Sequence, residues 1–453
     1  MQNNIGPVFQ LFRHLHSALS RLEIYHILSH IYGLPASNQW KESFVLRVIF
    51  SVLLLSFIYV AQRFWLKRGF RIIDSIRSPG LKVFGRYSLI SAIVLLILTS
   101  LDPFGHSNEK LWEFALSVSK LWLFASTLGY LTIVIARVAG LLFSKIFMRI
   151  GDGRKQKTDL ARRAFLRRTT LYAGSLPFFA TGYGCFVERF SYRVKKIEVP
   201  VANLPRGLDG LRIVQLSDIH MGDFMSRAQV RKAVDMANGL NADLAVITGD
   251  FITFKNDPLA DCIQELSRLH APLGTWGCNG NHELNCGVEA LAQMLFAENG
   301  MRLLRNESVQ INWRGETFNL IGMDFWRGEE HPGILMKIGP QVRKDMPNIL
   351  LSHSPDTFYW ASQSGIELSL AGHTHGGQVK IGILNPASLF TKFVGGMYFL
   401  PFGGSADHKG DKTTPLVSRS AALYVNRGLG TLFVPVRLGV PPEISLLILR
   451  SDV

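Results

Sequence analysis

Apolar residues follow two different rhythms along this chain. Before residue 190 they come in four long uncharged runs bounded by charged residues. "VIFSVLLLSFIYVA" lies between Arg47 and Arg63, and "YSLISAIVLLILTSL" between Arg86 and Asp102. "LWLFASTLGYLTIVIA" lies between Lys120 and Arg137, and "TTLYAGSLPFFATGYGCFV" between Arg168 and Glu188. A helix needs about 17–25 residues to cross a bilayer. These runs are near or below that length, and terminal Arg and Lys side chains can extend them by snorkelling. The pattern predicts an α-helical membrane region of about four spans over residues 44–190. In the preceding segment, 1–43, apolar residues of 8–31 fall near helical spacing and predict an interfacial helix with four histidines on its polar face.

From Ile197 the rhythm shortens. Compact β-rich runs ("LRIVQLSD", "ADLAVITGD", "LGTWGCNGNHE", "FNLIGMD", "NILLSHSP", "IELSLAGHTH", "AALYVNRG", "EISLLILR") alternate with helical patterns near 226–239, 258–269 and 287–299. Such alternation predicts an α/β domain with layered sheets over 197–453.

Charge divides the chain at the same place. The net charge of +15 splits into +18 for residues 1–196 and −3 for 197–453. The near-neutral C-terminal part excludes a phosphate-backbone binder, so nucleic acid is not an expected partner. Membrane lipids are, because the basic excess flanks the apolar runs. Loops 63–86 and 145–168 are strongly basic, whereas 102–110 carries one Lys against Asp102 and Glu109. Positive loops stay in the cytoplasm. With four spans, a multi-pass protein of the bacterial inner membrane would then hold its C-terminal domain outside the cytoplasm. "ARRAFLRRTT" (161–170) is similar to a twin-arginine export signal, and an ordinary basic stop before a span explains it equally well. Four cysteines are too few for a disulfide framework. Cys278 and Cys286 are expected as thiols rather than as a pair.

Polar residues gather where the predicted strands end, the place where α/β folds put ligands. In order they are "SDIH" (Asp218, His220), "TGD" (Asp250), "GNHE" (Asn281, His282), "SHSP" (His353) and "GHTH" (His373, His375). One such Asp is usually a turn or a cap. Histidines at i and i+2 of an extended segment project to the same side. Eight oxygen- and nitrogen-donor residues at five strand ends together point to a shared metal site.

These five blocks, D-x-H, GD, GNH[ED], H and GHxH in that order, resemble the calcineurin-like metallophosphoesterase superfamily, over about residues 205–450. "AGHTHGGQ" and "NRGLGTLFVPVRLGVPPEI" are similar to a membrane-associated bacterial subgroup of exported phosphodiesterases and UDP-2,3-diacylglucosamine hydrolases. The resemblance implies an α-β-β-α sandwich with two divalent ions, for which the mixed Asp, His and Asn set suits Mn, Fe or Zn. It assigns Asp218, His220 and His375 to one ion, Asn281, His353 and His373 to the other, and Asp250 as the bridge. It implies in-line attack by a metal-bridged hydroxide, with His282 at the leaving oxygen. The expected function is a membrane-anchored phosphoesterase acting on a phosphodiester, pyrophosphate or phosphomonoester, with a lipid-linked or envelope substrate. The alternatives are a UDP-2,3-diacylglucosamine hydrolase and a non-catalytic or sensory protein on the same fold. Arg427 and Arg437 could contact a phosphate or head group, or be surface arginines; Asp324 is expected to be structural. The oligomeric state is not legible.

Overall fold

The computed structural model describes residues 38–101, 110–150, 160–326, 331–402 and 420–451. The interfacial helix expected over 8–31 lies outside them. The chain divides into two compact units. One comprises 1–103 with 122–178, and the other 104–121 with 179–453.

Among the described residues four long helices come first: α1 (Asn38–Asp74), α2 (Pro79–Leu101), α3 (Lys110–Ile150) and α4 (Leu160–Phe186). The four apolar runs are helical as expected, but four spans are not supported. Among the described residues, two stretches are long and apolar enough to cross a membrane, Pro79–Leu98 in α2 and Phe114–Leu142 in α3. In α1 the uncharged stretch between Arg47 and Arg63 is fifteen residues. At about 1.5 Å per residue it extends roughly 22 Å, short of a ~30 Å hydrocarbon core. The α4 run is diluted by threonine, glycine, serine and Pro177. On α2, Leu81, Phe84, Tyr87 and Ile97 are all more than half exposed, a surface suited to lipid rather than water.

The second unit carries two six-stranded mixed sheets. Sheet one contains β1 (Arg193–Val201), β2 (Arg212–Leu216), β3 (Leu244–Thr248), β4 (Thr275–Cys278), β5 (Arg302–Leu303) and β12 (Glu443–Ser451), in the order β1-β12-β2-β3-β4-β5. Sheet two contains β6 (Glu307–Trp313), β7 (Glu316–Met323), β8 (Asn348–Ser352), β9 (Leu368–Ala371), β10 (Gly396–Pro401) and β11 (Ser420–Val425), in the order β10-β11-β9-β8-β7-β6. The strands that end in the polar blocks, β2, β3 and β4 in one sheet and β8 and β9 in the other, run parallel to their neighbours in that set.

Period-two alternation decides the layers. In β3, Leu244 and Val246 face sheet two, packing with Phe318, Leu320, Ile349 and Leu370. Ala245 and Ile247 face outward onto Val230, Val234, Ile263 and Phe296. These belong to helices α5 (Arg227–Asn238), α6 (Leu259–Leu266) and α8 (Glu289–Glu298), which fill the three places where helical spacing was seen. Sheet two is covered on its outer face by α9 (His331–Ile338) and α10 (Phe358–Ser364), through Ile338, Phe358 and Trp360. The result is the expected α-β-β-α sandwich. Ser226 caps α5 with a capping box, accepting from Gln229 N. All four cysteines are free.

Candidate metal centre

The five polar blocks converge although they come from two sheets. Backbone bonds join the loops after β2 and β3: Asp218 N donates to Gly249 O (3.1 Å) and His220 N to Asp250 O (3.0 Å). Two contacts cross between the sheets. The Asp218 carboxylate accepts from His373 N (2.9 Å to Oδ1), and His353 Nδ1 lies 2.6 Å from Thr248 O. A carbonyl only accepts, so Nδ1 of His353 carries a proton, and Nε2 is the nitrogen turned toward the other candidate ligands.

Five of the seven expected ligands have left-handed backbone: Asp218 (φ 50), His220 (φ 49), Asp250 (φ 56), His373 (φ 75) and His375 (φ 52). Each such residue costs of order 1–3 kcal/mol and persists where its surroundings over-determine it, typically at functional sites. Glycines make room. A Cβ on Gly280 would fall 2.6 Å from Asp250 N and overlap Asp250 Oδ1. One on Gly372 would overlap Ser217 Oγ and Asp218 Oδ2.

The ligating atoms form two groups. In the first, His220 Nε2 and His375 Nε2 are 3.1 Å apart, and His375 Nε2 is 3.5 Å from Asp218 Oδ1. In the second, His373 Nδ1 is 2.8 Å from Asn281 Oδ1 and 3.2 Å from His353 Nε2. Asp250 Oδ2 faces both, 3.5 Å from His220 Nε2 and 3.0 Å from His353 Nε2. Ligands bonded to one ion at about 2.0–2.2 Å stand roughly 3 Å apart when their bonds are near right angles, so these spacings suit metal binding by groups that meet at Asp250. A second observation agrees. His220 and His375 aim their Nε2 atoms at each other across 3.1 Å, a pairing of two imidazole nitrogens that a cation between them would satisfy.

The electrostatics suit cations. Burial pushes His220 down to about 3 and His373 down to about 4, and lowers His375 well below the ordinary value. These imidazoles are therefore neutral and offer lone pairs. Burial pushes Asp218 up to about 6 against the opposing charge of His353. Burial also works against a charge on His353, yet the Asp250 and Asp218 carboxylates raise it to about 10. Asp250 is held well below the carboxylate range by His353 despite its own burial. The buried carboxylates thus hold positive charge where a divalent ion would supply it.

His282 stands beside the first group. Its ring centroid is 4.8 Å from that of His220, edge-on, and its Nδ1 is 2.7 Å from Thr253 O. That carbonyl fixes the Nδ1–H tautomer and turns Nε2 away from Thr253. His220 and His282 open on a cavity of about 120 Å³ whose wall includes Thr253, Phe254 and Phe433.

Several functional positions had no clear sequence signal. Glu283, in the same "GNHE" block, is fully buried and accepts from Asp250 N (2.9 Å), Phe251 N (2.8 Å) and Gly280 N (2.8 Å). Burial and the Asp250 carboxylate push it up to about 7, against the backbone donors. It is the third residue of the short helix α7 (Asn281–Cys286), after Gly280 as N-cap, and an acidic residue at that position is a capping signal. Arg437 is neither a surface arginine nor free for a phosphate. It is fully buried and donates to the carbonyls of Arg427, Gly428, Gly430 and Val440. Arg427 runs beside Gly376 and lies 3.4 Å from Glu443 Oε2. Asp324 accepts from Asn279 Nδ2 and Arg305 Nε, in keeping with a structural role.

Residues 211–377 match the calcineurin-like phosphoesterase family, a range that contains every expected metal ligand. Over 296 residues the chain is 30% identical to a zebrafish (Danio rerio) "Transmembrane protein with metallophosphoesterase domain", covering 63% of this chain and 63% of that protein. It therefore spans less than two thirds of that relative. It is 28% identical to the uncharacterized metallophosphoesterase YkuE of Bacillus subtilis over 302 residues, 64% of this chain and 98% of the relative. It is also 28% identical over 297 residues to the UDP-2,3-diacylglucosamine pyrophosphatase LpxG of Chlamydia trachomatis, 54% of this chain and 86% of that protein.

Proposed function

We propose, for a chain whose residues 211–377 form a calcineurin-like metallophosphoesterase domain, that it is a membrane-anchored dimetal hydrolase of a phosphodiester or pyrophosphate bond carried by a lipid or envelope substrate. The observation that carries this reading is the paired grouping of ligand atoms around Asp250. Asp218, His220 and His375 would hold one divalent ion and Asp250, His353 and His373 the other, with Asn281 beside His373 as a further ligand and Asp250 shared. Such ions, when bound, polarise phosphoryl oxygens and lower the pKa of water towards neutrality.

The chain's own residues do the rest. Thr248 O and Thr253 Oγ1 orient His353 and His220 through their Nδ1 atoms. Glu283 holds the backbone of Asp250 in its left-handed turn. His282, its tautomer set by Thr253 O, presents Nε2 to the departing oxygen and gives it a proton or stabilises its charge. Arg427, beside Gly376 of the turn that carries His375, is a further substrate contact in this reading.

Charge is the guide to the side of the membrane. The N-terminal end of α3, residues 110–121, belongs to the same compact unit as the phosphoesterase domain, and the low-charge loop 102–110 precedes it. The basic loop 145–168 lies at the other end of α3. Gly174 of the returning α4 approaches Gly129 closely. With α4 crossing back, as the four apolar runs of the sequence expect, the positive-inside rule favours the domain outside the cytoplasm; with α2 and α3 alone as spans it favours the side of the basic loop, the inside. The similarity to LpxG favours a second reading, a UDP-2,3-diacylglucosamine pyrophosphatase, which needs the inside because that nucleotide-lipid is cytoplasmic.

Two measurements test this. Full-length protein in nanodiscs should hydrolyse bis-p-nitrophenyl phosphate with Mn²⁺ and stop after chelation; turnover that survives exhaustive chelation overturns the dimetal reading. A reporter fused after Val453 that is active only in the cytoplasm would make the UDP-lipid the first substrate to assay.

A further inference from the structure

The segment after the last two ligands, "KIGILNPASLFTK" (380–392), exposes large apolar side chains at unusual density. Ile381 is 61% exposed, Ile383 95%, Leu384 69%, Leu389 81% and Phe390 77%. A soluble surface carries single exposed apolar residues without comment, but a contiguous group marks an interaction site. The segment is built rather than loose. Ile381 and Leu384 exchange backbone bonds of 2.9 and 3.0 Å, and Asn385 caps the turn Pro386–Leu389 by accepting from Ala387 N. It is also tied to the metal-binding turn. Asn385 Nδ2 donates to Gly376 O (2.9 Å), and Thr374 Oγ1 donates to Val394 O (2.6 Å).

A second apolar projection is tethered to the same turn. Gln378 donates to Leu432 O and Val434 O and accepts from Leu432 N. Between them Phe433 stands 79% exposed with φ 62. A bulky residue in that conformation is strained, and here the strain holds an aromatic ring out into solvent at the wall of the cavity onto which His220 and His282 open.

We propose that the 381–390 loop and Phe433 form a rim that dips into the bilayer surface and presents lipid-borne phosphoesters to the site. This goes beyond the proposed function and rests on it only in taking the chain as a membrane protein. Three observations select a bilayer as the occupant. No carboxylate occurs between Glu367 and Asp407, while Lys380 and Lys392 bracket the apolar residues. That combination suits an anionic lipid surface, with apolar side chains inserted and lysines at head-group level. Lys120, in the 104–121 stretch that belongs to the same compact unit as the phosphoesterase domain, lines the same cavity as His220, His282 and Phe433 and adds a cation there that suits anionic head groups. Finally, the rim is anchored to the turn carrying His373 and His375, so its docking would fix the height of the site above the lipid.

The test uses full-length protein in phosphatidylethanolamine/phosphatidylglycerol nanodiscs, with nitroxide labels on Ile383→Cys and on Phe390→Cys and an aqueous control on Glu298→Cys at the exposed end of α8. Signal from native Cys286 is subtracted using unsubstituted protein. Power saturation should show both rim labels several-fold more accessible to oxygen than to a water-soluble nickel chelate, and the reverse for residue 298. Rim labels as open to the chelate as residue 298 overturn the proposal. So do labels shielded from both reagents, which would mean a protein partner covers the rim. Ile383→Asp/Leu389→Asp should move the label at 390 into water while hydrolysis of bis-p-nitrophenyl phosphate stays within twofold. Because the depth measurement needs no turnover, its failure is separable from failure of the hydrolase reading.

Discussion

Glu283→Gln isolates the support beneath the metal centre. The carboxylate accepts three backbone N–H groups, from Asp250 and Gly280 on Oε2 and from Phe251 on Oε1. Glutamine has the same shape, but one terminal atom becomes a donor. With its oxygen at the Oε2 position it keeps two bonds and points an NH₂ at Phe251 N–H. The lost bond to a charged acceptor is worth about 1.5–3 kcal/mol, and a buried unsatisfied donor costs about 1–3 kcal/mol. The two overlap, giving about 2–4 kcal/mol in total. Loss of a group that orients a metal ligand typically lowers affinity about 10–100-fold, or about 1.4–2.7 kcal/mol, which overlaps the lower part of that range. Calorimetric titration of Mn²⁺ into chelator-treated full-length protein should therefore show affinity reduced 10–100-fold. Thermal melting of the metal-free variant should fall by about 5–10 °C. Turnover should partly recover at high Mn²⁺, because Glu283 touches no substrate. Wild-type Mn²⁺ affinity together with an unchanged melt would refute the claim that Glu283 holds Asp250 in place.

Asp250→Asn removes the shared carboxylate charge and should abolish hydrolysis of bis-p-nitrophenyl phosphate at any Mn²⁺ concentration; near wild-type rates with metal present would exclude the bridging role. Gly280→Ala should displace Asp250 and lower metal content by mass spectrometry, since its Cβ has no room beside Asp250 N; full metal loading would count against the crowding argument. Arg437→Leu leaves up to four buried carbonyls without their donor and should cost about 3 kcal/mol in denaturant unfolding, with a loss under 1 kcal/mol showing that water takes over the guanidinium's bonds. Glu265 is held down to about 2, from an ordinary 4.5, first by its hydrogen bond to Arg231 and then by Arg227 and Arg268, against the opposing effect of burial. A depressed acid stabilises above its unfolded value and loses that contribution as pH falls through the folded one. Melting temperature should thus decline between pH 4.5 and 2 by more in wild type than in Glu265→Gln, and less so in high salt because the arginines are partly exposed; equal declines would remove Glu265 from acid unfolding.

What the sequence determined by itself was local. A short apolar run such as Leu244, Ala245, Val246 and Ile247 is a property of neighbouring residues, so eight of the twelve described strands and three of the five covering helices were legible, whereas which face of a strand buried on both sides meets which layer was not. So were the donors at the strand ends, because strand ends in α/β domains are where ligands gather. Tertiary structure decided what needed distance or depth. Asp218 meets His373 across 155 positions, and only two facing sheets make Asp250 Oδ2 look both ways. Glu283 read as one more acid until burial gave it three backbone donors to satisfy. Arg437 read as a surface charge until four carbonyls turned inward around it. The membrane region went the other way. Apolar runs alone suggested four spans, whereas the short uncharged stretch of α1 and the polar dilution of α4 leave two among the described residues. The exposed rim at 381–390 looked like any apolar stretch, because hydropathy does not say whether a side chain is covered; only packing does.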